Sequence, residues 1–155
     1  MEMTKRSIVI TVAAIVLAIA TAAIAADDPF NGTWKLIKGG GNPPPKSLTY
    51  KIDVQGNTHK MIVDRVDPEG KPSHNDGTRM VDGRVHPRPD NPQTDSYRAT
   101  RLDANTVMNE FMRDGKIVGT IKSVISNDGR TMTLVLKGKN AQGQDIDETE
   151  ICEKQ

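Results

Sequence analysis

Tyr50, Tyr97 and Arg101 are the residues whose types and spacing could hold a ligand. A guanidinium takes a carboxylate through two parallel hydrogen bonds, and a tyrosine offers flat contact area with a hydroxyl at its tip. Tyr97 and Arg101 are an even number of residues apart, so on a β-strand they share a face, while Arg98 takes the opposite one. Tyr50 falls on the apolar side of its own segment, with Leu48, Ile52 and Val54. If these faces look into one interior, Arg101 meets a ligand carboxylate and the tyrosines frame it. If they look outward, the arginine is solvated and the tyrosines are core residues with satisfied hydroxyls. Both arrangements fit the sequence.

Other chemistry is weakly supported. A hydrolase needs a nucleophile, a base and an orienting group in reach, and no Gly-x-Ser-x-Gly elbow is present. His59, His74 and His86 have neither i, i+4 spacing nor a nearby Cys-x-x-Cys; they read as solvent-facing residues, with His74 in a loop. Asp147 and Glu148 are adjacent, which on a strand puts their carboxylates on opposite faces. Cys152 is the only cysteine, so no internal disulfide forms. It reads as a buried, inert thiol near the last strand, the alternative being a reactive or intermolecular one. We therefore assign no catalytic residue, metal ligand or cofactor, and expect binding rather than catalysis while leaving an enzyme open.

The elements that must position these residues are strands. Short alternating runs recur, each followed by Gly, Asp, Asn or Pro. They lie at Thr33–Lys38, Leu48–Val54, Thr58–Val66, a weak Gly77–Val81, a short Arg84–Pro87, Asp95–Asp103, Thr106–Arg113, Lys116–Ser126, Thr131–Lys137 and Asp145–Glu153. Asp82-Gly83, Asp114-Gly115 and Asp128-Gly129 supply the positive φ of two-residue hairpin turns. They lack the dense ligand spacing of a calcium loop. "GGGNPPPKS" (Gly39–Ser47) and "HPRPDNPQ" (His86–Gln93) break the meander as stiff connectors or barrel lids, not domain boundaries. Leu48, Tyr50, Ile52 and Val54 form one apolar face; Ile117, Ile121 and Ile125 form a second; Met132, Leu134 and Leu136 form a third. Such one-sided strands predict an all-β fold, an antiparallel up-and-down β-barrel of about 8–10 strands around a single interior.

Residues 1–26 have the layout of a signal peptide. Lys5 and Arg6 precede an apolar run from Ile8 to Ala20, and "TAAIAA" supplies small residues for cleavage. An uncleaved anchor is the alternative, since the apolar run is nearly long enough to span a bilayer. Cleavage leaves residues 27–155 as one barrel domain without an integral membrane anchor, either periplasmic or extracellular. Removing Lys5, Arg6 and Glu2 from 21 basic and 20 acidic residues leaves 19 of each, which gives no electrostatic argument for nucleic acid. Phe30, Trp34, Tyr50, Tyr97 and Phe111 are the only aromatics, so aliphatic residues and methionine must supply most of the burial. Nothing in the sequence sets the oligomeric state.

"NGTWKL" (Asn31–Leu36) resembles the Gly-x-Trp motif that opens the first strand of lipocalins, and the similar opening of fatty-acid-binding proteins. The whole mature chain resembles small secreted bacterial proteins with a lipocalin-like domain and no settled function. The shared text is "GTWKL", "PPPKSLTY", "VDPEGKPSH", "RLDANTV", "DGKIVGT", "VISNDGRTMTLVLKG" and "AQGQ", in this order. The resemblance implies a calycin-type barrel able to hold a small apolar molecule, with Gly32 and Trp34 as a structural plug at its closed end. Three departures stand beside it. Fatty-acid-binding proteins carry two helices between their first two strands, where this chain has only the Gly/Pro connector. Their closing strand bears an Arg-x-Tyr carboxylate clamp, where this chain has Glu150-Ile151-Cys152. Lipocalins also pack a late arginine on the tryptophan; the last strand here has none, which leaves Arg98 or Arg101 for that place.

Three functions follow. The first is an exported lipocalin-like protein that binds or carries a small, mostly apolar ligand. The second is a protein-interaction or envelope-stress module whose barrel is filled by its own side chains. The third is a small lipocalin-like isomerase or cyclase. A cavity, a close-packed interior beside an apolar patch, and converging buried ionisable groups would respectively favour them.

Overall fold

The computed structural model describes residues 27–89, 91–139 and 142–155; the leader assigned to residues 1–26 lies outside them. Ten strands make one antiparallel sheet: β1 (Gly32–Lys38), β2 (Ser47–Gln55), β3 (Thr58–Val66), β4 (Pro72–Met80), β5 (Val85–Pro87), β6 (Ser96–Asp103), β7 (Thr106–Arg113), β8 (Lys116–Ile125), β9 (Thr131–Lys139) and β10 (Asp145–Lys154). Hydrogen-bonded neighbours run β4-β3-β2-β1-β10-β9-β8-β7-β6-β5. Strands adjacent in sequence therefore pair, and β1 against β10 joins the two ends of the chain. The result is a nearly closed up-and-down barrel. One seam is left, because β4 and β5 follow each other in sequence yet form the two ends of the sheet.

Alternation places the interior. Leu48 is buried on β2, and Tyr50, Ile52 and Val54 pack against the core from the same face. Met132, Leu134 and Leu136 do so from β9. The third expected face is broken by a bulge. Phe111 pairs with Gly119 and Met112 with Ile117, so Val118 is an extra residue in β8. Ile121 and Ile125 point inward below the bulge, while Ile117 above it is 51% exposed.

β4 is much longer than the Gly77–Val81 segment expected from alternation. All its residues from Pro72 to Thr78 are exposed, so no apolar face exists to read. Continuous pairing with β3, from Thr58 opposite Met80 to Val66 opposite Pro72, is what makes it a strand. His74, expected in a loop, lies in this strand with Nδ1 2.6 Å from the Asp64 carboxylate on β3.

The Asp-Gly pairs have different fates. Asp114 and Gly115 have φ of 51° and 71° and form the two-residue turn between β7 and β8. Asp82-Gly83 instead marks the seam, where Asp82 lies 2.8 Å from His86 Nε2 and the Gly83 N–H donates to Ala99 O at 2.9 Å. Between β1 and β2 the Gly/Pro connector carries no helix among the described residues. It folds onto the barrel so closely that a Cβ on Gly39 would fall 1.9 Å from the Thr149 carbonyl oxygen.

Candidate functional site

The closed end is built by the segment that enters β1. Trp34 is fully buried, and its Nε1–H donates to Phe30 O at 2.9 Å. Lys154, from the last strand, holds its ammonium 5.1 Å from the Trp34 ring centroid. This cation, and neither Arg98 nor Arg101, occupies the place over the tryptophan. Gly32 allows it, since a Cβ there would meet Lys154 Cε at 2.8 Å. Arg98 pairs with Glu110 at 2.6 Å. Arg101 stacks 5.2 Å from the Phe30 ring, pairs with Asp28 at 2.7 Å and donates to Ala104 O at 2.9 Å. Its Nη2 also lies 3.2 Å from His59 Nε2. Burial, reinforced by the Arg101 charge, holds the His59 imidazole below its ordinary pKa, so the ring is the neutral acceptor of that contact.

Above this floor is a chamber of about 210 Å³. Its wall is mainly aliphatic, with Ile52, Met61, Val63, Val107, Ile121, Met132, Leu134 and Leu136. Phe30 and His59 border it at one side, and Tyr50, Arg79, Asn109 and Ser123 supply the other polar positions. The inward parity of β2, β3, β7, β8 and β9 converges on one space that these side chains do not fill.

On the β10 side, Tyr50 Oη donates to Glu150 Oε2 at 2.5 Å. Glu150 is buried, and burial raises its carboxyl pKa against the opposing pull of the Tyr50 hydrogen bond and the Arg65 charge. Burial and the neighbouring Glu150 likewise push the Tyr50 hydroxyl far above the tyrosine range. Cys152, two residues on and fully buried, has its thiol pushed up to about 12 by burial and then by Glu150. Burial disfavours the charged form of all three groups.

At the seam the side chains are cationic. Arg79, at the end of β4, is half-buried; Nη1 donates to Asn109 Oδ1 at 3.3 Å, and its guanidinium carbon lies 5.1 Å from the Phe111 ring centroid. Arg88, just past β5, stands 5.1 Å from the same centroid and donates to Thr94 Oγ1 at 3.1 Å. Burial, with Arg88 adding repulsion, pushes Arg79 down to about 10. Tyr97 Oη accepts the Met80 N–H at 3.0 Å across the seam, and its ring stacks on His86 at 5.5 Å.

Of the residues singled out in the sequence, Tyr50 lines the chamber, Tyr97 stands at the seam and Arg101 lies at the floor outside the chamber wall. The structure does not gather the three. The cation in the wall is Arg79, a residue outside that set. Its signal was parity: Arg79 is two residues before the buried Val81, so the weak strand already put both on one face.

No family model matches the sequence, and no curated protein matches it at a significant level. Solved structures match in fold. A Schistosoma mansoni fatty acid binding protein in complex with arachidonic acid superposes with a TM-score of 0.58 at 10% identity, covering 83% of this chain and 97% of its own. The apo lipid binding protein 8 of Caenorhabditis elegans also gives 0.58 at 10% identity, over 86% of this chain and 100% of its own. Zebrafish ileal bile acid-binding protein with cholic acid gives 0.51 at 12% identity, over 82% and 99%. At these identities the likeness defines the fold alone, a nearly closed antiparallel β-barrel.

Proposed function

We propose that this protein is an exported, periplasmic or extracellular barrel that binds a small, mostly apolar molecule in its interior without transforming it. The observation that carries this reading is the aliphatic chamber: a barrel that served only as a scaffold would close that space with its own side chains. The fold neighbours, two of which were solved with arachidonic acid and cholic acid, support the same use of such an interior. Tyr50 is the proposed polar wall contact, and Trp34 with Gly32 closes the floor. The test is native mass spectrometry of the protein purified from its own host, together with displacement of an uncharged solvatochromic dye by uncharged alkanols. Saturable one-to-one displacement is expected. A barrel that is always empty and takes up neither dye nor alkanol refutes the proposal.

The converging Tyr50, Glu150 and Cys152 favour a second reading, a small isomerase with Glu150, its carboxyl pKa raised by burial, as the acid behind Tyr50. Binding is the better account, because the Tyr50 proton is given to Glu150 rather than to the chamber.

A further inference from the structure

The chamber lies below the roughly 300–1,000 Å³ usual for a ligand pocket. It does not end at its aliphatic wall. Two outer grooves, of about 430 and 500 Å³, share Arg79 with it as a wall residue, and both are also lined by Arg88. A ligand larger than the chamber therefore extends past Arg79 toward the seam.

Two guanidiniums stand there against one phenyl ring, so they are no further apart than twice 5.1 Å. Among the described residues neither is ion-paired. Asp76 lines the outer groove on the β4 side without reaching ion-pair distance of either. Their polar partners are uncharged, Asn109 for Arg79 and Thr94 for Arg88. Burying one cation beside another with no counter-charge among the described residues is costly, and a bound anion offsets that cost. Burial first, and then repulsion from Arg88, holds the Arg79 guanidinium below the usual arginine range, as expected for two cations placed side by side. The opposite side of the chamber offers a headgroup no such welcome, because Glu150 is buried behind Tyr50 there.

We infer that the seam between β4 and β5 is an anion site in which Arg79 and Arg88 hold the headgroup of an anionic amphiphile whose apolar body lies in the chamber. The site rests on the binding function proposed above, and gives it an orientation and a ligand class: phosphate, sulfate or carboxylate at the seam, hydrocarbon inward.

Calorimetric titration of the full chain with octyl phosphate, octanol and inorganic phosphate tests it. Octyl phosphate should bind more tightly than either of the others. Arg79→Met or Arg88→Gln should each weaken it by about tenfold or more, the loss expected when a charged group's hydrogen bonds are removed. Octanol binding should be unchanged in Arg88→Gln, whose side chain lies outside the chamber wall, and circular dichroism checks that both variants are folded. Arg88, outside the strands, carries the test if Arg79→Met does not fold. Equal affinity for octanol and octyl phosphate overturns the anion site while leaving the apolar chamber standing. Inorganic phosphate binding as tightly as octyl phosphate overturns the amphiphile. Octyl phosphate affinity unchanged in both variants overturns the roles of the two arginines. If none of the three binds, the proposed function falls with the inference.

Discussion

Tyr50 and Glu150 meet across the β2 and β10 sides of the barrel, the phenol donating to the carboxyl at 2.5 Å although the residues are a hundred positions apart. Burial favours the protonated carboxyl, while the hydrogen bond favours the carboxylate; burial is the larger influence, and the pKa rises.

This sets a pH dependence. A folded-state pKa above the unfolded value of about 4.3 means the stabilising contribution is complete below that value and is lost as pH rises through the folded one. Denaturant melts from pH 4 upward should show this loss. Glu150→Gln keeps an acceptor for Tyr50 but cannot ionise, so it should remove the slope and be at least as stable as the wild type at neutral pH. Tyr50→Phe removes the donor that holds the carboxyl pKa down, so the loss should move to higher pH. A slope that persists in Glu150→Gln would assign it to another group.

His59 gives the opposite sign. Its pKa is lowered by burial and by Arg101, so below about 6.5 the unfolded chain takes up a proton that the folded chain resists. Its contribution to stability is present above the unfolded pKa and is lost as pH falls toward the folded value. His59→Gln should flatten the curve below about pH 6.5, read as the difference in unfolding free energy from the wild type across that range.

Cys152 should be silent toward thiol reagents in the native protein. Its side chain is inaccessible and its thiol is pushed up to about 12, so neither contact nor thiolate is available at neutral pH. Labelling with an aromatic disulfide reagent should proceed only at the rate of unfolding, and should become immediate in denaturant. Rapid stoichiometric labelling without denaturant would place the thiol at the surface.

How far the sequence carries depends on whether a residue's role is local. β3 and β7 are legible to the residue because period-2 alternation and turn residues are properties of short segments. β4 is largely illegible, since its residues are exposed and only its partner β3 makes it a strand. The face of Ile117 is misread for a related reason: the bulge that turns it out is a property of the β7–β8 pair. At the site, Tyr50 is found by alternation. Arg79 needs the course of β4, and Arg88 needs knowledge that the chain after β5 returns to Phe111. Arg101 is misleading because its acceptors, Asp28 and Ala104, are set by the floor of the barrel. The arginine absent from the last strand invites a search elsewhere, yet a lysine in that strand does the stacking.

That stacking separates packing from charge at the floor. Trp34 is fully buried, so Trp34→Ala removes a large ring from a site that strands on both sides hold open. The expected loss is about 3–5 kcal/mol. Lys154 is exposed at its end of the strand, and a cation over an indole at such a site contributes about 0.5–1 kcal/mol. Lys154→Met should therefore cost far less than Trp34→Ala, and most of its effect should vanish in a Trp34→Ala background, because the ring it acts on is gone. Equilibrium denaturation of the two single variants and the double variant checks both statements. Equal single costs would make the floor an electrostatic clasp, and a near-neutral Trp34→Ala would show that the barrel does not depend on its plug.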